Sequence, residues 1–272
     1  MFRRLVPFLL LALLALSPLV ACGTVQRVTL PVTRTLAQDA VFRLPATRGD
    51  KFVVLTIDDA PSSRTDEIVA LLLKYGATAT FFVHTDQMTP GRRDVLEAAV
   101  EAGHEIGNHL PADTPAWKMT GEEFRAALSR ADDSLAPFGD GAPPYFRPPH
   151  GLYRPRLMDG PLEKFGYDRP LDALGSDRRY ILASFIPLDA GGRTNTDDSE
   201  QNEKVARRYA RQLSGNLFPG AIVVFHDGEA GGREARLAAT LVSLETFLAE
   251  ARARGYDVVS LSDGIARSVA GP

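Results

Sequence analysis

One apolar run that stops abruptly on two adjacent carboxylates sets the pattern for this chain. In Lys51–Pro61, KFVVLTIDDAP, the residues Phe52, Val53, Val54, Leu55 and Ile57 read as a buried strand, halted by Ala60-Pro61. Asp58 and Asp59 stand where that strand emerges. Like charges side by side repel and raise one pKa unless a cation or an arginine lies between them, so the pair points to a metal or acid–base site. A helix N-cap beside a solvated Asp accounts for this stretch alone equally well.

The rest of the chain decides between these readings by repeating the pattern. Asp66–Tyr75 places Ile68, Leu71, Leu72 and Tyr75 at helical spacing before Gly76. Strands are predicted at Thr78–Val83, Glu105–His109, Tyr145–Arg147, Tyr180–Ile186, Ala221–Phe225 and Tyr256–Ser260. Helices are predicted between them at Arg92–Ala102, Thr120–Leu135, Pro155–Phe165, Gln201–Leu217 and Glu234–Arg254, the second opened by a Thr120/Glu123 capping box. Asp168–Asp177, DRPLDALGSD, reads as an insertion. About seven strands alternating with helices imply a parallel sheet, and the α/β class narrows to a barrel or a doubly wound sheet. The barrel is favoured because Asp58-Asp59, His109, Arg147, Asp189 and His226 each fall at or just past the C-terminal end of a predicted strand. In a closed barrel those ends converge on one face, where reactive side chains collect.

The first 21 residues are expected to stand apart as a signal peptide. Arg3-Arg4 precede the apolar run Leu5–Leu16, and LVAC at Leu19–Cys22 follows. The run is short for a membrane span and is flanked by Pro7 and Pro18, so a retained transmembrane helix is the weaker alternative. LVAC resembles the lipobox of bacterial lipoproteins, which implies a lipidated Cys22 at the mature N-terminus and an extracytoplasmic, envelope-anchored or secreted location. Residues 22–48 then read as tether with a short strand near Val41–Leu44, and 49–268 as the domain. Cys22 is the single cysteine, so no intrachain disulfide is available and stability must come from packing. The formal charge is −3; losing residues 1–21 removes two arginines and no acidic residue, leaving −5, which gives no sign of nucleic-acid binding. No protein partner is implied.

Five motifs in order, TIDDAP at Thr56–Pro61, GHEIGNH at Gly103–His109, FRPPHG at Phe146–Gly151, PLDA at Pro187–Ala190 and VVFHD at Val223–Asp227, resemble the polysaccharide deacetylase family, carbohydrate esterase family 4 or NodB homology domain. The resemblance runs from about Lys51 to Leu261. It implies a distorted (β/α) barrel, NodB-like, and a hydrolase that removes acetyl groups from N-acetylglucosamine-containing polysaccharide such as peptidoglycan, chitin-like polymer or exopolysaccharide. It also implies one divalent metal, zinc first, with cobalt, manganese or nickel as others. By the same resemblance Asp58 is the general base, Asp59 and His109 are metal ligands, Arg147 holds the base, and His226 is the acid toward the leaving amine. Asp189 supports the Arg147 or His226 side, and the His150 N–H is an oxyanion donor. These types suit the chemistry, since amide hydrolysis needs a polarised carbonyl, an acceptor for the proton of water and a donor for the amine. For Arg147 the plainer alternative is a barrel-mouth salt bridge, and for His226 a strand-capping histidine.

The sequence departs from the family where the third ligand is expected. Four residues after His109 the family carries a second histidine, and here Asp113 stands. Three readings stay open: Asp113 ligates the metal, another residue such as His150 completes the site, or the site no longer binds metal. His104 is read as structural, and His84, after the second strand, is given no role beyond core edge or groove. Alternatives to the deacetylase are an O-deacetylase of acetylxylan and a non-catalytic glycan-binding barrel.

Overall fold

The computed structural model describes residues 40–47, 49–151, 179–185, 198–227 and 234–270. Strands β1 (Phe52–Ala60), β2 (Thr80–Val83), β3 (Glu105–Asn108), β4 (Tyr145–Phe146), β5 (Arg179–Tyr180), β6 (Ile222–His226) and β7 (Asp257–Val259) alternate with helices. These are α1 (Thr65–Tyr75), α2 (Pro90–Glu101), α3 (Gly121–Leu135), α4 (Ser199–Gly215), α5 (Glu234–Ala253) and α6 (Leu261–Ala270). The expected helix Pro155–Phe165, the insertion Asp168–Asp177, Asp189 and Cys22 lie outside the described residues.

Local signals place the helix ends where the sequence suggests. Gly76 closes α1 in the left-handed conformation, φ 63°, with its N–H on the last carbonyls of the helix. Thr120 opens α3 with both bonds of a capping box to Glu123. After β7 the chain adds a helix for which the sequence reading made no assignment, Leu261–Ala270, and Gly264 there lets it lie against β1, where a Cβ would fall 2.5 Å from Val54 Cγ2.

The seven strands form one parallel sheet in the order β5-β4-β3-β2-β1-β6, with β7 pairing β1. β7 takes the N-terminal half of one edge of β1, opposite Phe52–Val54, while β2 takes the C-terminal half from Thr56 onward. The sheet therefore curls as a half-barrel with helices outside. The seam between β5 and β6 is spanned by the chain before β1. Val41 bridges Ile181 and Arg43 bridges Ala221, the Ser184 Oγ–H donates to Phe42 O, and Phe42 and Leu44 are buried. Gly220, φ +75°, admits this segment so closely that a Cβ would lie 2.3 Å from Leu44 O. The short strand expected near Val41–Leu44 is thus part of the domain wall, because two sheet edges need a partner for their backbone groups.

Alternation along β1 divides the core. Val53, Leu55 and Ile57 pack outward with Ile68, Leu72, Leu244 and Phe247 of the helices. Phe52 and Val54 point into the barrel with Phe82, Ile181, Ile222 and Val259. A third cluster, around Phe42, Leu110, Phe124 and Phe146, seats α3.

Candidate metal and catalytic site

Every polar group that this site uses sits at the C-terminal end of a strand, and the sheet's parallel sense brings those ends together. Strict alternation would place Asp58 and Asp59 on opposite faces of β1. The register of β1 on β2 slips between Ile57 and Ala60, so β1 carries one extra residue there. Asp59 takes φ 63° within that bulge. Such a bulge re-aims a side chain, and both carboxylates come to the barrel mouth, nearly buried.

Asp58 is held by Arg147. The guanidinium donates from Nη1 to Asp58 Oδ1 at 2.5 Å and to Thr56 Oγ1 at 2.8 Å, and from Nε and Nη2 to the carbonyls of Ile181 and Leu182. The Phe82 ring lies 4.3 Å beneath it. Gly107 makes room for that ring, since a Cβ there would approach two Phe82 ring atoms at 2.7 Å. His226 stands opposite Asp58 in the β1–β6 register, half-buried.

Asp59 faces two imidazoles. His84 Nε2 and His109 Nε2 each lie 3.4 Å from Asp59 Oδ1, and the two rings stack with centroids 4.5 Å apart. His109 Nδ1 is 2.7 Å from Arg147 O and His84 Nδ1 is 3.2 Å from Leu110 O. A carbonyl only accepts, so each Nδ1 carries the proton and each Nε2 turns a lone pair toward Asp59. His84 Nε2 is buried with no hydrogen-bond partner. Burial alone pushes the Asp59 carboxyl up, but hydrogen bonds from His109 and His84, which need a proton on Nε2 where a cation would otherwise sit, hold it well below the usual carboxylate range, helped by the charge of His226. Three electron-pair donors thus converge within 4.8 Å of one another, and only a proton or a cation between them relieves their repulsion. The group fits a divalent cation. Two imidazoles and one carboxylate, each imidazole anchored through its far nitrogen, are also a donor set that zinc takes in catalytic sites.

The third position of this group is occupied by His84, not by Asp113. The Asp113 carboxylate instead lies 3.2 Å from His150 Nε2, both side chains 43% exposed. Neither Asp113 nor His150 belongs to the buried group. His84 follows directly on β2, whose Val83 is paired with Asn108 of β3, so the next residues, His84 and His109, fall side by side. Adjacency in a parallel pair is a matter of register, which a single sequence does not display. The one available signal was that His84, like the others, follows an apolar run.

A buried polar knot braces the β1 end from behind. Asp227 accepts from Ser62 N–H at 3.2 Å, Ser62 Oγ–H at 2.6 Å and Thr65 Oγ1–H at 2.5 Å, and its own N–H donates to Asp58 O. Burial drives its carboxyl up to about 6 against the pull of those donors, with the Asp59 charge adding to the rise. His104 is buried, its Nδ1 accepting from Ala79 N–H at 3.3 Å beneath Phe81, in keeping with a structural role.

Comparison with known proteins gives a consistent result. The chain is 22% identical over 210 residues to a peptidoglycan-N-acetylglucosamine deacetylase of Bacillus cereus, covering 77% of this chain and 66% of that one. Its fold superposes on the crystal structure of a peptidoglycan N-acetylglucosamine deacetylase with TM-score 0.64 at 20% identity, over 83% of this chain and 92% of that one. It also matches a family 4 pseudoenzyme from Bacillus anthracis with TM-score 0.60 at 19% identity, over 84% of this chain and 69% of that one. Residues 46–169 match the polysaccharide deacetylase family. Those residues supply β1 through β4 and the motifs they carry, and over them the chain is similar to the polysaccharide deacetylase family.

Proposed function

We propose that this chain is a metal-dependent deacetylase that releases acetate from N-acetylglucosamine units of an envelope polysaccharide, peptidoglycan first among them. One observation carries the reading: an ionised Asp59 and two pre-oriented imidazole nitrogens share a buried point, beside an Asp58 clamped by Arg147. A binding-only groove has no use for that arrangement.

In this reading Asp59, His84 and His109 hold the cation, which supplies Lewis acidity toward the acyl oxygen and toward water. Asp58 accepts the proton from the attacking water. Arg147 pairs with that carboxylate and fixes its direction, since the guanidinium is tied to four acceptors and has little freedom to follow another partner. The His150 N–H donates to the acyl oxygen as charge develops there. His226, across β1 from Asp58, protonates the amine nitrogen so that the C–N bond breaks with acetate and a free amine as products. Asp189 steadies the Arg147 or His226 side. Zinc suits this donor set best; cobalt, manganese and nickel accept the same ligands. The Leu19–Cys22 lipobox supports anchoring outside the cytoplasm through Cys22.

The test is acetate release from N-acetylglucosamine oligomers and peptidoglycan, after chelation and again after adding zinc, cobalt or manganese, with acetylxylan as a parallel substrate. Release from the amide substrates that returns with metal is expected. Release from acetylxylan alone moves the reading to an O-deacetylase, and no release with any metal overturns it.

A further inference from the structure

The loop Pro148–Gly151 follows β4 and is gripped from both neighbouring strands. It is a four-residue turn closed by the Gly151 N–H on Pro148 O at 3.0 Å. At its third position His150 has φ 60°, ψ 11°, a left-handed conformation that disfavours any residue but Gly or Asn. On the β5 side the Tyr180 O–H donates to Gly151 O at 2.9 Å. On the β3 side the Asp113 carboxylate meets His150 Nε2 at 3.2 Å. The turn's own hydrogen bond employs the Gly151 N–H, not that of His150.

We infer that Asp113 is a positioning residue, which acts through His150 by holding the Pro148–Gly151 turn in its left-handed geometry, and that it does so from outside the metal site. The inference rests on the deacetylase reading, in which the His150 N–H serves the acyl oxygen. Two magnitudes support it. A side-chain contact in which both partners are 43% exposed contributes little to global stability. The same small contribution is comparable to the penalty for one left-handed non-glycine residue, so it shifts the population of the turn without deciding the fold. The carboxylate that would stand fourth residue after a ligating histidine has been displaced by His84, and its interaction with His150 links two loops at the barrel mouth.

The experiment compares the full chain with Asp113→Ala and Asp113→Asn. Three quantities are read: zinc affinity by chelator competition, amide hydrogen exchange at Gly151, and kcat and KM for acetate release from an N-acetylglucosamine oligomer. Asp113→Ala is expected to leave zinc affinity unchanged, to raise Gly151 exchange about five-fold, and to lower kcat by about the same factor with KM unaltered. Asp113→Asn, whose amide oxygen still accepts from His150 Nε2–H, recovers most of both effects. Loss of zinc affinity in Asp113→Ala overturns the inference in favour of a ligand. Unchanged Gly151 exchange, or a loss confined to KM, overturns it as well. If the unaltered chain releases no acetate, the deacetylase reading fails, and the zinc and exchange measurements still decide whether Asp113 holds the turn.

Discussion

Replacing His84 by Ala probes the site most directly, because this residue separates the proposed Asp59–His84–His109 metal group from the one anticipated four residues after His109. His84 is fully buried, with one nitrogen on Leu110 O and the other toward Asp59. Its removal costs stability even without metal, through the cavity it leaves, so the chelated variant must be its own reference. A ligand that binds only the folded state adds RT ln(1 + [L]/Kd), about 2.7 kcal/mol when free zinc is ~100 times Kd. Loss of outer groups that merely orient a ligand weakens metal binding by about 10–100-fold. Deleting a ligand itself is expected to reach at least the upper figure. At the same zinc concentration a ~100-fold weaker site adds only about 0.4 kcal/mol. Urea melts with and without zinc then show most of the metal-induced gain in the unaltered chain and in Asp113→Ala, and almost none in His84→Ala. Full zinc stabilisation retained by His84→Ala, with its loss in Asp113→Ala, would falsify the assignment of the metal group.

Two further outcomes follow from packing and burial. Gly107→Ala forces its methyl into the Phe82 ring, from 2.7 Å, and costs about 1–3 kcal/mol of overpacking. Because Phe82 underlies Arg147, kcat is expected to fall while metal affinity holds; an unaffected kcat in a variant destabilised by this amount would show that Phe82 does not seat Arg147. In the chelated protein, Asp227 titrates near 6, above its unfolded value. Its contribution to stability is therefore complete below about pH 4 and is lost as pH rises through 6, a difference of about 3 kcal/mol for about two pKa units. Asp227→Asn should flatten that part of the profile between pH 4.5 and 7.5, read by urea denaturation in chelator. Asp59, held low, does the opposite in another window, with its stabilisation lost only as pH falls below the unfolded carboxylate value. Parallel profiles for Asp227→Asn and the unaltered chain across pH 4.5–7.5 would remove Asp227 as the cause.

The amino-acid sequence by itself determined the class of the fold and most of the mouth. Apolar runs at Phe52–Ile57, Thr80–Val83 and Ile222–Phe225 have the composition of strands buried on both faces, and the segments between them carry their own caps and stops. Local chemistry of that kind needs no knowledge of distant residues, so parallel alternation could be read directly. Which groups meet was another matter. The bulge that swings Asp59 beside Asp58, the β2–β3 register that sets His84 against His109 and the turn of the loop that carries Asp113 to His150 were decided in three dimensions. So was the sealing of the β5–β6 seam by Val41–Leu44. Each depends on how one strand slides against another, and hydrogen bonding along a ladder constrains that sliding only once the packed core has chosen which faces turn inward.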